Sequence, residues 1–110
     1  MNMKKYEIAT KIERIFASVG RIQDTRIYFG GKCWDYDSSG RKSVLTDIKA
    51  SEYIGYANDA TITCSFEGSV HSHLNHYIGN GELGDKLTTM LEDYGYWYEL
   101  GNGWNFALYE

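Results

Sequence analysis

The sequence predicts a single α+β domain: an antiparallel sheet of about five to six strands, in the order α-β-β-β-β-α-β-β, with helices packed on one face. Three observations predict it. Apolar residues recur at helical spacing over two long stretches. Alternating runs closed by glycine turns fill most of the remainder. The links between those runs are too short for the crossovers a parallel sheet needs. At 110 residues the chain is below the length at which cores divide, so residues 1–110 form one domain. With 43% hydrophobic and 15% aromatic residues it can build a core without metal or disulfide staples, and intrinsic disorder is excluded.

From Lys4 to Ser18, and on to Val19, the apolar residues Ile8, Ile12, Ile15, Phe16 and Val19 paint one helical stripe, with Lys5, Lys11, Glu13 and Arg14 largely outside it. Gly20 supplies the stop. Arg26–Phe29 and Lys32–Asp37 read as two strands joined by Gly30-Gly31, and Ser43–Ile48 continues the meander after a turn at 38–41. Residues 49–58 have broken periodicity, so an irregular segment with a helical turn is expected. Ala60–Phe66 is a strand rich in threonine and isoleucine. A short helix over Ser69–Tyr77, capped by Ser69, precedes a longer one over Glu82–Tyr94, whose Leu83, Leu87, Met90, Leu91 and Tyr94 fall three or four apart and which stops at Gly95. The chain closes on a hairpin, Tyr96–Leu100 and Trp104–Tyr109, around the turn Gly101-Asn102-Gly103; Trp104, Phe106 and Leu108 are its expected core set. No proline occurs, so edge strands lack one common guard.

No apolar run approaches the roughly 20 residues of a membrane span. Met1-Asn2-Met3-Lys4-Lys5 leads into Tyr6-Glu7 rather than an apolar signal segment, so a cytoplasmic protein that avoids membranes is expected. Cys33 and Cys64 are too few for a disulfide scaffold and are expected as reduced thiols, Cys64 as strand packing. The formal charge of -4 is unevenly spread: residues 1–50 carry ten bases against six acids, and residues 51–110 carry one base against nine acids. Those halves are +4 and -8, an asymmetry that raises the odds of a charged partner if they separate in space.

Motifs for chemistry are sparse. His71, His73 and His76 lie within six residues, but no regular backbone presents all three together, and the spacing matches no established zinc pattern. A cysteine could pair with one of them as nucleophile and base, yet neither cysteine sits in an activating motif. The glycine pairs lack the Lys-Ser/Thr of a phosphate loop. No cofactor, no metal and no catalytic residue is therefore expected, and the chain is not expected to be an enzyme.

Aromatic residues are the unusual resource: ten Tyr, three Trp and four Phe. Several neighbour carboxylates, so exposed rings interleaved with acids would suit a basic protein surface. The expected contact residues are Asp35, Tyr36, Asp37, Glu92, Asp93, Tyr96, Trp97 and Glu99.

The stretch Leu91-Glu92-Asp93-Tyr94-Gly95-Tyr96-Trp97-Tyr98-Glu99-Leu100-Gly101-Asn102-Gly103-Trp104-Asn105, taken with the size of the chain, resembles the small anti-defence proteins of phages and mobile elements, the anti-CRISPR inhibitors included. That resemblance implies a stoichiometric inhibitor in the host cytoplasm. It would bind a host defence nuclease or its RNA-bound complex through an acidic, aromatic surface, and a homodimer is compatible with it. The alternative is a protein that sequesters a nucleotide second messenger, with Arg21, Arg26, Lys32 or Arg41 on phosphate and an aromatic face on the base. A metal-dependent hydrolase built on the three histidines ranks third.

Overall fold

The computed structural model describes residues 3–75 and 81–110. Helix α1 (Met3–Ala17) buries Ile8, Ile12 and Phe16 completely, so the stripe read from the sequence is the face it turns to the sheet. Six strands follow: β1 (Thr25–Phe29), β2 (Lys32–Tyr36), β3 (Lys42–Thr46), β4 (Ile62–Ser65), β5 (Trp97–Leu100) and β6 (Asn105–Tyr109). Helices α2 (Gly68–Leu74) and α3 (Glu82–Glu92) are inserted between β4 and β5. Gly30 and Gly31, with φ of 58° and 77°, form the two-residue turn between β1 and β2, a conformation in which a Cβ is costly at both positions.

The strands lie in the order β3-β2-β1-β4-β6-β5, and every neighbouring pair is antiparallel. The N-terminal meander occupies one side of the β1–β4 seam, and the strands of the C-terminal half occupy the other. Register aligns Trp34, Ile27, Cys64 and Phe106 across four strands, and these side chains point to the helices. There Phe106 meets Phe16 and Phe66, with ring centroids 6.1 and 5.6 Å away, so one core spans the seam. Leu83, Leu87 and Leu91 of α3 complete it.

The opposite face is covered only in part. Tyr28 and Cys33 pack there under Ala50 and Ile54 from the connection between β3 and β4, whose regular piece is a 3-10 turn at Ala50–Glu52. That connection crosses the seam and is pinned beyond it. Asn58 Nδ2 and Thr61 Oγ1 both donate to the Leu108 carbonyl, at 2.8 and 2.5 Å, and Asn105 Nδ2 donates to the Gly55 carbonyl at 3.1 Å.

Several expectations are corrected. Trp104 is not in the core: it is 42% exposed, because the hairpin turn lies one residue later than expected, over 102–104, closed by Gly101 N–H donating to Asn105 C=O at 3.0 Å. Helix α2 begins at Gly68, whose φ of 64° turns the chain ahead of the expected Ser69 cap; the expected extension to Tyr77 lies partly outside the described residues. Cys33 and Cys64 are free and buried on opposite faces of the sheet. No described helix is long and apolar enough to cross a membrane.

Candidate functional site

Strand alternation decides which of the expected contact residues reach solvent. In β2, Trp34 and Tyr36 point to the helices, and Cys33 and Asp35 point away. Tyr36 is consequently buried, 5% exposed, and its hydroxyl donates to the Glu13 carboxylate, which also takes Lys42 Nζ at 2.8 Å. Burial, and then Glu13, push the Tyr36 phenol well above its ordinary range. Tyr96 is likewise buried, 6% exposed, with the Lys4 ammonium 4.7 Å from its ring centroid. Neither ring is a contact surface, contrary to expectation. A tyrosine beside a carboxylate in a strand faces the other way from it.

Asp35 is occupied within the fold. It accepts from Arg26 Nε at 2.7 Å, while Arg26 also donates to the Tyr28 hydroxyl at 2.9 Å and lies 5.6 Å from the Tyr53 ring centroid. The Tyr28 bond and then Asp35 outweigh desolvation and hold this guanidinium charged. Arg26, one of the cations considered for a nucleotide phosphate, thus has its fork engaged by neighbours. Asp37 organises a turn: its Oδ1 accepts from Ser39 Oγ at 2.7 Å and from the Ser39 and Arg41 amides at 2.9 Å, contacts that hold the carboxyl below its ordinary value. Glu92 and Asp93 are exposed at the C-terminal end of α3, on the helix side of the molecule.

Trp97 and Glu99 are brought together on the outer face of β5. The Trp97 indole is 48% exposed and lies on Tyr109, centroids 5.2 Å apart and planes inclined at 33°. Beside them a shallow groove of about 300 Å³ is lined by Tyr56, Glu99, Leu100, Gly101 and Tyr109. Tyr56 is 71% exposed and has a φ of 63°, a left-handed conformation that costs a bulky residue roughly 1–2 kcal/mol. Gly101 admits it: a Cβ there would stand 2.9 Å from the Tyr56 Cβ. Asn105, fully buried, fixes both sides of this approach by accepting from the Asn102 amide at 2.6 Å and donating to Gly55.

Tyr56 and Tyr109 are therefore part of the surface, although neither was among the expected contacts. The observed register places Tyr109 opposite Trp97, whereas the turn expected over 101–103 would set Ala107 there. Tyr56 gave no periodic signal, since it sits in the irregular connection.

Other candidate chemistry is not assembled. Burial raises the Cys33 thiol to about 12 and the Cys64 thiol well above its ordinary value, so neither is a thiolate nucleophile near neutral pH. His73 Nδ1 is 2.7 Å from the Ser69 carbonyl oxygen, and no group of three metal-ligating side chains occurs among the described residues; His76 lies outside them.

The charge asymmetry of the sequence is not carried by the sheet. Strands β1 to β3 hold Arg26, Lys32 and Lys42 against Asp35, and β4 to β6 hold Glu99; residues 24–48 balance four bases against four acids, so most of the imbalance lies in the helices and connections. The halves meet again in the helix layer, where Lys11 of α1 stands 4.9 Å from the ring centroid of Tyr94 and Glu7 accepts from the Tyr94 hydroxyl.

No protein family, curated protein or solved structure matches the chain.

Proposed function

We propose that the chain is a binding protein without catalytic activity of its own: a stoichiometric inhibitor of bacterial defence that acts in the host cytoplasm. Its acidic end occupies a basic surface of a nucleic-acid-handling effector, a CRISPR-type nuclease or its RNA-bound complex. The observation that carries this reading is the exposed Trp97 indole packed on Tyr109 beside exposed Glu99, in the half of the chain that carries -8.

Such a surface has the physical parts an inhibitor needs. Stacked rings bury area at small entropic cost, and two rings packed on each other are already ordered before a partner arrives. Carboxylates around them match Arg and Lys and speed encounter. Groups poised for covalent or acid–base steps are not gathered anywhere comparable among the described residues, and the shallow groove beside Tyr109 suits another macromolecule better than a small ligand.

Titration of a purified CRISPR-type nuclease with the chain tests the reading. Cleavage of target DNA is expected to fall in proportion to added protein and to cease near an equimolar ratio. The double variant Trp97→Ala/Glu99→Lys is expected to leave cleavage intact at that ratio. Undiminished cleavage at every ratio, across representative nuclease types, overturns it.

A further inference from the structure

The sheet ends in two strands against which no described element pairs. Strand β3 is exposed along nearly its whole length, and β5 is exposed at Trp97, Glu99 and Leu100. At β3, Asp37 N–H donates to Arg41 C=O and Ile48 N–H donates to Gly31 C=O. By antiparallel alternation, the backbone groups of Lys42, Val44 and Thr46 then point outward. At β5, the Gly101–Asn105 bond sets the same alternation, so the backbone groups of Tyr98 and Leu100 point outward. Such a row of unsatisfied groups is a template for another strand. Two of the usual guards are absent or turned aside: the chain has no proline, and Lys42 is drawn inward to Glu13 and over the Trp34 ring, 3.8 Å from its centroid.

We infer that these edges pair with each other between two copies of the chain, β5 of one copy against β3 of the next, extending the sheet head to tail. Two features of the molecule agree on this occupant. The six strands alternate in direction, so β3 and β5 run oppositely, and a copy added in line with the sheet meets its neighbour antiparallel with its helices on the same face. Exposed apolar residues also coincide. Val44, 57% exposed, shares the helix face with Trp34, and Leu100, 43% exposed, shares it with Phe106, so the two lie on the same side of the joined sheet. Such a contact is heterologous, and copies add in series unless rotation closes a ring.

The inference concerns the purified chain alone, so its failure is distinct from that of the inhibitor reading. Sedimentation velocity over a concentration series is expected to show reversible association. Val44→Lys blocks one edge and Leu100→Lys the other. Both side chains are exposed, and near-wild-type melting and circular dichroism confirm that each variant folds. Each variant alone is expected to be monomeric, and an equimolar mixture is expected to form a dimer and nothing larger, because one intact β5 edge then meets one intact β3 edge. Three results overturn it: a wild-type monomer at every concentration and salt, a Leu100→Lys or Val44→Lys variant that still self-associates, or a mixture that stays monomeric.

Discussion

On one side of the β1–β4 seam, three strands form a meander under α1, and their half of the chain carries +4; on the other side, three strands carry α2 and α3, and their half carries -8. The halves also differ in how they keep their charges. Arg26–Asp35 and Lys42–Glu13 are ion pairs of 2.7 and 2.8 Å within the N-terminal half, whereas Glu99 faces solvent beside exposed rings. The difference teaches that one sheet can be a single folding unit and still treat its charges differently on its two sides. Internal pairing mutes the charges of one end, and those of the other are displayed.

The largest effect tests whether these are charge halves and not folding halves. Phe106 belongs to β6 yet touches Phe16 of α1, so Phe106→Ala is expected to destabilise the whole domain by about 3–5 kcal/mol. Urea unfolding followed by tryptophan fluorescence and by circular dichroism is expected to give coincident curves. Separate transitions would divide the molecule at the seam.

A smaller effect of opposite sign is expected at Tyr56, where the connection from the N-terminal meander leans on the acidic hairpin. Tyr56→Gly relieves the left-handed backbone and is expected to raise stability by about 1 kcal/mol in denaturant melts while weakening partner binding. A loss of stability would mean that the ring is packing material rather than displayed surface.

The smallest effect probes the muted end through pH. Burial pushes the Glu13 carboxyl up, but hydrogen bonds from Lys42 and Tyr36 together outweigh it, so its folded value lies below its ordinary one. A depressed carboxylate contributes stability above its unfolded value, and that contribution is lost as pH falls through the folded one. Solvent screening limits it to about 1 kcal/mol or less. Glu13→Gln is expected to flatten this part of the acid limb of the stability curve, measured by urea midpoints across the carboxylate range. An unchanged acid limb would remove the tie from the account.

The long helices were legible because Ile8, Ile12 and Phe16, and Leu83, Leu87 and Leu91, repeat at a period that only a helix turned to a core requires. The strands were legible from alternation and glycine turns. Strand order was not. Nothing local in Ile62–Ser65 says that it will pair with both β1 and β6, and that pairing is what joins the two halves of the chain in one sheet. Tyr36 and Tyr96, expected at the surface, are buried for a related reason. Proximity in sequence joined Tyr36 to Asp35 and Asp37, and Tyr96 to Trp97, while the pleat sends such neighbours to opposite faces. Trp104 was misplaced by a hairpin turn one residue out of position, and Tyr56 was not singled out because it sits in an aperiodic connection held by Asn105 and Gly101, far away in the chain.

The most direct test compares the two ends in one binding experiment. Affinity for a purified CRISPR-type nuclease is measured at low and high salt for the wild type, for Trp97→Ala/Glu99→Lys at the acidic end, and for Arg41→Glu at the basic end. The account predicts salt-sensitive wild-type binding that the acidic-end variant abolishes and the basic-end variant retains. Equal binding by all three, or loss on Arg41→Glu alone, would contradict it.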